Sequence, residues 1–142
     1  MDTRFSSAIH TLILISEAKT PMTSEQIAVS VGTNASYVRK LTALLKRGGI
    51  IKSKQGVSGF SLVVAPQDLT LYDVYRAIYE TDEVRIFDLH KNPNDECVVG
   101  KHITPVLTST FGNAENAVLQ SLKTQTLASV MDNMRKEIEK EQ

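Results

Sequence analysis

Between Thr23 and Ala65 the chain carries a tightly spaced series of helix starts and stops, and these constrain the fold more than any other feature. Thr23 is followed three residues later by Gln26, a reciprocal cap for the first free N–H groups of a helix. Ile27, Ala28 and Val31 give that helix one apolar side. Gly32 stops it, because glycine accepts the left-handed conformation of a tight stop. Asn34 then caps a second helix with Val38, Leu41, Leu44 and Leu45 turned inward, and Gly48-Gly49 ends it. Two helices joined by a short turn containing glycine form a helix-turn-helix. For these two helices alone, a plain helical hairpin with no nucleic-acid role is the competing reading.

The outward side of the second helix separates the readings. Ala35, Ser36, Arg39, Lys40, Ala43, Lys46 and Arg47 fall away from the leucines. Small residues allow close approach to base edges, hydroxyls bond bases or phosphates, and cations answer phosphate charge. Two β-rich runs follow, Ile50 to Lys54 and Phe60 to Val64, around a turn through Gln55-Gly56-Val57-Ser58-Gly59. They predict a two-stranded wing, closed by Pro66. The expected fold is mainly α with a small β-hairpin wing: a winged helix-turn-helix DNA-binding domain plus a long C-terminal dimerisation helix.

The ordered motifs Asn34-Ala35-Ser36-Tyr37-Val38-Arg39-Lys40-Leu41, Leu44-Leu45-Lys46-Arg47-Gly48-Gly49-Ile50-Ile51 and Ser53-Lys54-Gln55-Gly56-Val57-Ser58-Gly59 resemble the Rrf-two family of bacterial winged-helix regulators. Leu69 to Ile78 resembles the helix that follows the wing in that family, whose members include IscR-, NsrR- and CymR-type regulators. His90 to Ile103 is especially similar to its cluster-free YwnA-like branch, and the likeness covers nearly the whole chain. The resemblance implies a dimeric regulator whose recognition helix and wing contact DNA. Carried onto this chain, with the adjoining helix start, the implied DNA-binding residues are Thr23, Ser24, Asn34, Ser36, Tyr37, Arg39, Lys40, Lys46, Arg47, Lys54, Gln55, Gly56 and Ser58. Several family members have Arg where this chain has Gln55. Cluster-binding relatives carry three closely spaced cysteines in the loop after residue 80, because thiolates hold iron–sulfur clusters. This chain has only Cys97 there. No cluster, metal or other cofactor is therefore expected.

The 142 residues suit one compact domain, or one domain with a dimerisation arm. A single Cys excludes an internal disulfide and suits a reducing cytoplasm. Neither a signal peptide nor a long apolar span is visible. Net charge is zero, but residues 1–65 hold 8 Lys or Arg against 3 Asp or Glu, giving +5, and residues 66–142 hold 8 against 13, giving −5. A basic half that carries the groove helix fits a DNA-binding head on an acidic assembly region. Chance segregation of solvated charges is the bland alternative.

Outside the centre, apolar spacing predicts a first helix from Thr3 to Ala18 and a helix from Thr70 to about Glu80. Residues 81–100 read as a polar, sensor-type loop with a short element at Val84 to Leu89. A long helix is expected from Gly100 or Thr104 to Leu122, with Pro105 in its first turn and Ile103, Val106, Leu107, Phe111, Ala114, Val118 and Leu122 as the dimer interface. Gly112 marks either a close approach or a weak point. A last helix spans Thr126 to about Glu139. Cys97 reads either as a thiol sensor at a helix start or as an inert, half-buried residue, and the inert reading is preferred because Asp95 and Glu96 oppose ionisation. The division expected is a DNA-binding domain over 1–80, the loop over 81–100 and dimerisation helices over 101–142.

These features predict a cytoplasmic, homodimeric, sequence-specific transcriptional repressor that binds double-stranded DNA, with an unidentified effector or partner protein. The alternative is a winged-helix adaptor that modulates a partner protein. No paired carboxylates, nucleophile–base set, phosphate loop or cofactor fingerprint supports an enzyme.

Overall fold

The computed structural model describes residues 2–142. Six helices and one hairpin follow in the order α1 (Arg4–Glu17), α2 (Ser24–Val31), α3 (Ala35–Arg47), β1 (Ile51–Ser53), β2 (Phe60–Leu62), α4 (Leu71–Tyr79), α5 (Val98–Thr124) and α6 (Leu127–Glu139). The expected mainly helical fold with a small antiparallel wing is what forms.

Local chemistry accounts for the helix starts. Thr23 and Gln26 make the reciprocal box, Asn34 Oδ1 accepts the Tyr37 N–H at 2.8 Å, and Thr70 with Asp73 repeats the box on α4. Gly32 adopts φ +81° and closes α2 with its N–H on the Ala28 carbonyl. Leu12, Ile27, Val38, Leu41, Leu45, Val74 and Ile78 meet in one core. The buried Thr11 and Thr42 satisfy their hydroxyls within their own helices, donating to the Ser7 and Arg39 carbonyls at 2.8 and 3.1 Å.

In the wing, Ile51 pairs with Leu62, Lys52 with Ser61 and Ser53 with Phe60. Its base is pinned to the α1–α2 linker, where the Phe60 N–H donates to the Met22 carbonyl at 3.1 Å. Gly59 has φ +108°, and a Cβ there would lie 2.6 Å from the Pro21 carbonyl carbon. Only glycine lets the wing come so close.

Three expectations change in the C-terminal half. First, α5 starts at Val98, so Pro105 lies inside the helix rather than in its first turn. Pro105 removes one helical N–H, and both it and Lys101, four residues earlier, are exposed, so the freed carbonyl can bond water. Cys97 is consequently the N-cap of α5 and is exposed, not half-buried. Second, no regular element forms at Val84 to Leu89. The Ile86 and Phe87 N–H groups instead donate to Glu115 Oε2 at 2.5 and 3.1 Å, so a carboxylate takes the place of a strand partner.

Third, the division at residue 101 does not follow the packing. The helix α6 returns to the head, placing Leu127 and Met131 in the same core as Leu12 and Ile78. Backbone bonds fix that return: the Leu127 N–H donates to the Leu69 carbonyl at 2.8 Å and the Leu71 N–H to the Gln125 carbonyl at 2.9 Å. Among the described residues, no helix is long and apolar enough to cross a membrane.

Candidate nucleic-acid interface

The surface begins with the two-sidedness of α3. Val38, Leu41, Thr42 and Leu45 are buried, whereas Ser36, Arg39, Lys40, Ala43, Lys46 and Arg47 are exposed. A helix with buried leucines on one side must present the intervening residues on the other. Here those residues are small, hydroxylic or cationic. Lys46 and Arg47 also occupy the last turn, where cations suit the helix dipole.

Three polar contacts set the posture of this surface. Lys46 Nζ donates to Ser53 Oγ at 2.9 Å, joining α3 to β1 of the wing. Arg39 Nη1 lies 3.4 Å from Glu25 Oε1 on α2, and Arg47 Nη1 lies 2.5 Å from Glu80 Oε1 beyond α4. Both ion pairs are exposed, and exposed pairs contribute only about 0–1 kcal/mol, so phosphate oxygens can displace the carboxylates. Glu80 itself holds a left-handed backbone, φ 52°, at the end of α4.

The wing supplies a second cationic ridge through Lys52 and Lys54, both exposed. Its tip turns where the Val57 N–H donates to the Lys54 carbonyl at 3.1 Å, with Gly56 at φ +79°. Lys54, Gln55, Gly56 and Ser58 all lie exposed at this tip.

The remaining candidates are placed differently. Ser24 is buried, and the Thr23 hydroxyl is occupied in its cap. Asn34 is exposed but spends Oδ1 on the Tyr37 N–H. Tyr37 packs half-buried against the core. Sequence reasoning missed Glu25 and Glu80 as partners of the α3 arginines; Glu80 lies 33 residues from Arg47, and nothing local signals that pair.

The candidate interface residues of α5 divide between two sides. Phe111 faces its own chain and meets Phe87 with ring centroids 5.1 Å apart. Ile103, Leu107 and Leu122 are half-buried, while Val106, Ala114 and Val118 are exposed. No residue of this 27-residue helix is buried. At helical spacing, Lys101, His102, Glu115 and Lys123 gather on one side. The opposite side, Val99, Ile103, Val106, Thr110, Ala114, Ala117 and Ser121, is uncharged along about 33 Å.

At the start of α5, no side-chain hydrogen bond from Cys97 closes the helix. The Gly100 and Val99 N–H groups nevertheless draw the Cys97 thiol below its ordinary value. A Cβ on Gly100 would overlap the Asn94 carbonyl, so glycine permits this turn to fold back on itself.

Residues 1–133 match the Rrf2 family model, described as an iron-dependent transcriptional regulator. YwnA of Bacillus subtilis, which carries the name of an HTH-type transcriptional regulator, is 42% identical over 135 residues, spanning 94% of this chain and 98% of its own. A crystal structure named as that of a DNA-binding protein is 40% identical, covers 90% of this chain and 98% of its own, and has a TM-score of 0.74. IscR of T. potens shares the fold at 20% identity with a TM-score of 0.70, covering 94% of this chain and 87% of its own.

The iron in the family description calls for donors that this chain does not supply. A cluster is held by several thiolates, and the sequence has one cysteine, Cys97. His90, Asp95, Glu96 and His102 do not converge with it: among the described residues no three His, Cys, Asp or Glu side chains are placed to hold a metal ion. The residues present do not fit a cluster. With the matching model covering almost its whole length and YwnA similar across nearly all of it, the chain belongs to the Rrf2 family of transcriptional regulators.

Proposed function

We propose that this regulator acts as a homodimeric repressor without an iron–sulfur cluster. In this reading α3 of each protomer enters a major groove and each wing tip approaches the adjacent minor groove. The observation that carries it is the exposed row Ser36, Arg39, Lys40, Lys46 and Arg47 on α3, hydrogen-bonded through Lys46 to the wing. Arg39 and Lys40 are the candidates for base-edge contact. Lys46, Arg47, Lys52 and Lys54 neutralise phosphates, which makes affinity salt-dependent. Gln55, Gly56 and Ser58 follow the minor-groove edge. Asn34 positions the start of α3 and Tyr37 braces it from the core side, while Thr23 caps the neighbouring α2 ahead of the buried Ser24.

Dimerisation is assigned to the uncharged side of α5, which pairs with the same side of a second copy. Two heads so joined present their recognition helices about one DNA turn apart, roughly 34 Å, on a pseudo-palindromic operator. The functional units are then the head, comprising residues up to 80 together with α6, the 81–97 connection, and the α5 arm. The machinery is that of a DNA-binding switch in the cytoplasm rather than an enzyme.

The test is fluorescence anisotropy on DNA from upstream of its own gene against a shuffled control at two salt concentrations. Preference for the upstream fragment should persist as salt rises. Arg39→Ala should weaken specific binding by about 1–3 kcal/mol, roughly ten- to a hundredfold, with the dimer unchanged. Equal binding by Arg39→Ala and the parent protein would overturn the assignment of α3 as the reading element.

A further inference from the structure

Between the 82–89 segment and α5 lies an open cleft of about 400 Å³. Phe87 and Phe111 pack against each other at a tilt of 35° along one wall, with Phe87 about half exposed, and Leu89 and Leu119 extend the apolar lining. Gly112 forms part of the floor, and a Cβ there would have nothing within 4 Å. Glycine is a poor mid-helix residue, and no close approach within the chain requires it here. What its missing side chain does is keep the cleft open.

The charges around the cleft are unequal. Asp82, Glu83 and Glu115 line it against a single cation, Arg85. Arg76 answers Asp82 at 2.9 Å and Arg85 answers Glu83 at 2.7 Å. Glu115 is different, because Oε2 is held by the neutral Ile86 and Phe87 N–H groups, and Arg85, whose guanidinium is paired with Glu83, reaches it only as a weaker through-space charge. Those two donors, Ile86 first, also draw its carboxyl pKa below the usual carboxylate range by favouring the ionised form. A fixed anion beside two aromatic faces suits a positive charge carried on a flat ring.

We propose that this cleft is an effector site for a small planar aromatic cation, which slides between Phe87 and the Gly112 floor and sets its charge against Glu115. The uncharged dimer side of α5 faces the other way, so the cleft stays open when α5 pairs. A connection to DNA is built in. The segment that roofs the cleft begins just after Glu80, which holds Arg47 at the end of α3, and Tyr72 anchors it by donating to the Asp82 carbonyl at 2.6 Å. A ligand that lifts this segment changes the Glu80–Arg47 contact. The connection rests on the reading of α3 as the DNA-binding element; the occupancy of the cleft does not.

N-methylquinolinium and naphthoate, flat rings of similar size and opposite charge, are titrated by calorimetry into the full-length protein without DNA. The cation should bind at least about tenfold more tightly than the anion. Gly112→Leu, which fills the floor, should abolish binding while leaving the melting temperature unchanged or higher. Glu115→Gln retains an acceptor oxygen for the two N–H groups but removes the charge, and should weaken the cation about tenfold while the anion binds as well or more tightly, narrowing the preference. Equal binding of the two probes, no binding of the cation, or undiminished binding by Gly112→Leu overturns the site. Anisotropy on operator DNA then tests the connection: N-methylquinolinium should shift the affinity of the parent protein and not that of Glu80→Ala. An equal response in both overturns the route through Glu80. A protein that binds the cation but no DNA would sink the DNA reading and leave the cleft standing.

Discussion

The head and the arm of this regulator solve different packing problems. Sixteen buried apolar residues from α1 to α4, the wing and α6 form the head's core, whereas α5, the longest helix, buries none. Helices are stabilised in water mainly by burying one face. The head does that internally. The arm has only α4 and the 82–89 segment on one side, and its uncharged side is the one assigned to the proposed dimer. The contrast also divides the functions: the head can hold the α3 surface rigid by itself, while in the proposed dimer the spacing between two such surfaces is assigned to α5.

The largest expected effect tests whether α6 belongs to the head. Leu127 is fully buried and its N–H is bonded to the Leu69 carbonyl. Leu127→Ala should destabilise the protein by about 2–5 kcal/mol in urea unfolding followed by circular dichroism. Loss of less than about 1 kcal/mol would return α6 to the arm.

Next comes the arm. Ala114 is exposed on the uncharged side, so Ala114→Glu adds charge there without touching the head core. Dimer dissociation should rise about a hundredfold, close to 2.7 kcal/mol, in sedimentation velocity, with the unfolding midpoint of the head retained. Operator affinity should fall further than that of any one phosphate-contact variant, because avidity is lost. A dimer unchanged by this charge would place the interface elsewhere.

A smaller effect is expected where head and connection meet. Thr70 caps α4 and bridges Thr126, so Thr70→Ala should cost about 1 kcal/mol of stability, again by urea unfolding. An unchanged midpoint would mean that Asp73 and the bridge hold α4 without the hydroxyl.

The same contrast explains what could be read from residues alone. In the head, signals are local: Thr23 with Gln26, Asn34 and Thr70 each lie within three residues of the group they cap, so the helix starts and the α3 surface were legible. Thr42 was missed because its hydroxyl is satisfied within α3, which lets a polar residue take an inward position. In the arm, the signals mislead or are shared. Pro105 suits a first turn and drew the expected start of α5 forward, whereas the actual N-cap, Cys97, is a residue type with no capping preference. The apolar stripe of α6 has the same period whether it packs on its own head or on a second copy. Ser24 follows a cap and reads as surface, yet α2 rolls it inward. Arg47 finds Glu80 across 33 residues, a separation that no local pattern encodes.

The least energetic prediction concerns the junction itself. Cys97 is exposed at the start of α5, and the N–H groups of Gly100 and then Val99 stabilise its thiolate. A depressed thiol value means that ionisation favours the folded junction at pH above the unfolded thiol's value, and that this contribution is lost as pH falls through the folded one. Full exposure keeps the effect on global stability small. The thiolate fraction reports it more directly. The rate of iodoacetamide alkylation should rise with a midpoint below the ordinary free-thiol value of about 8.5, and urea should restore that ordinary midpoint. Gly100→Ala supplies the control, because its methyl group would collide with the Asn94 carbonyl and displace the very N–H groups that lower the thiol. Its midpoint should move up toward the unfolded value while the urea transition of the head stays in place. A midpoint that ignores this substitution would assign the lowered value to something other than the first turn of α5, and a head that unfolds with it would show that the arm and the head are not separable after all.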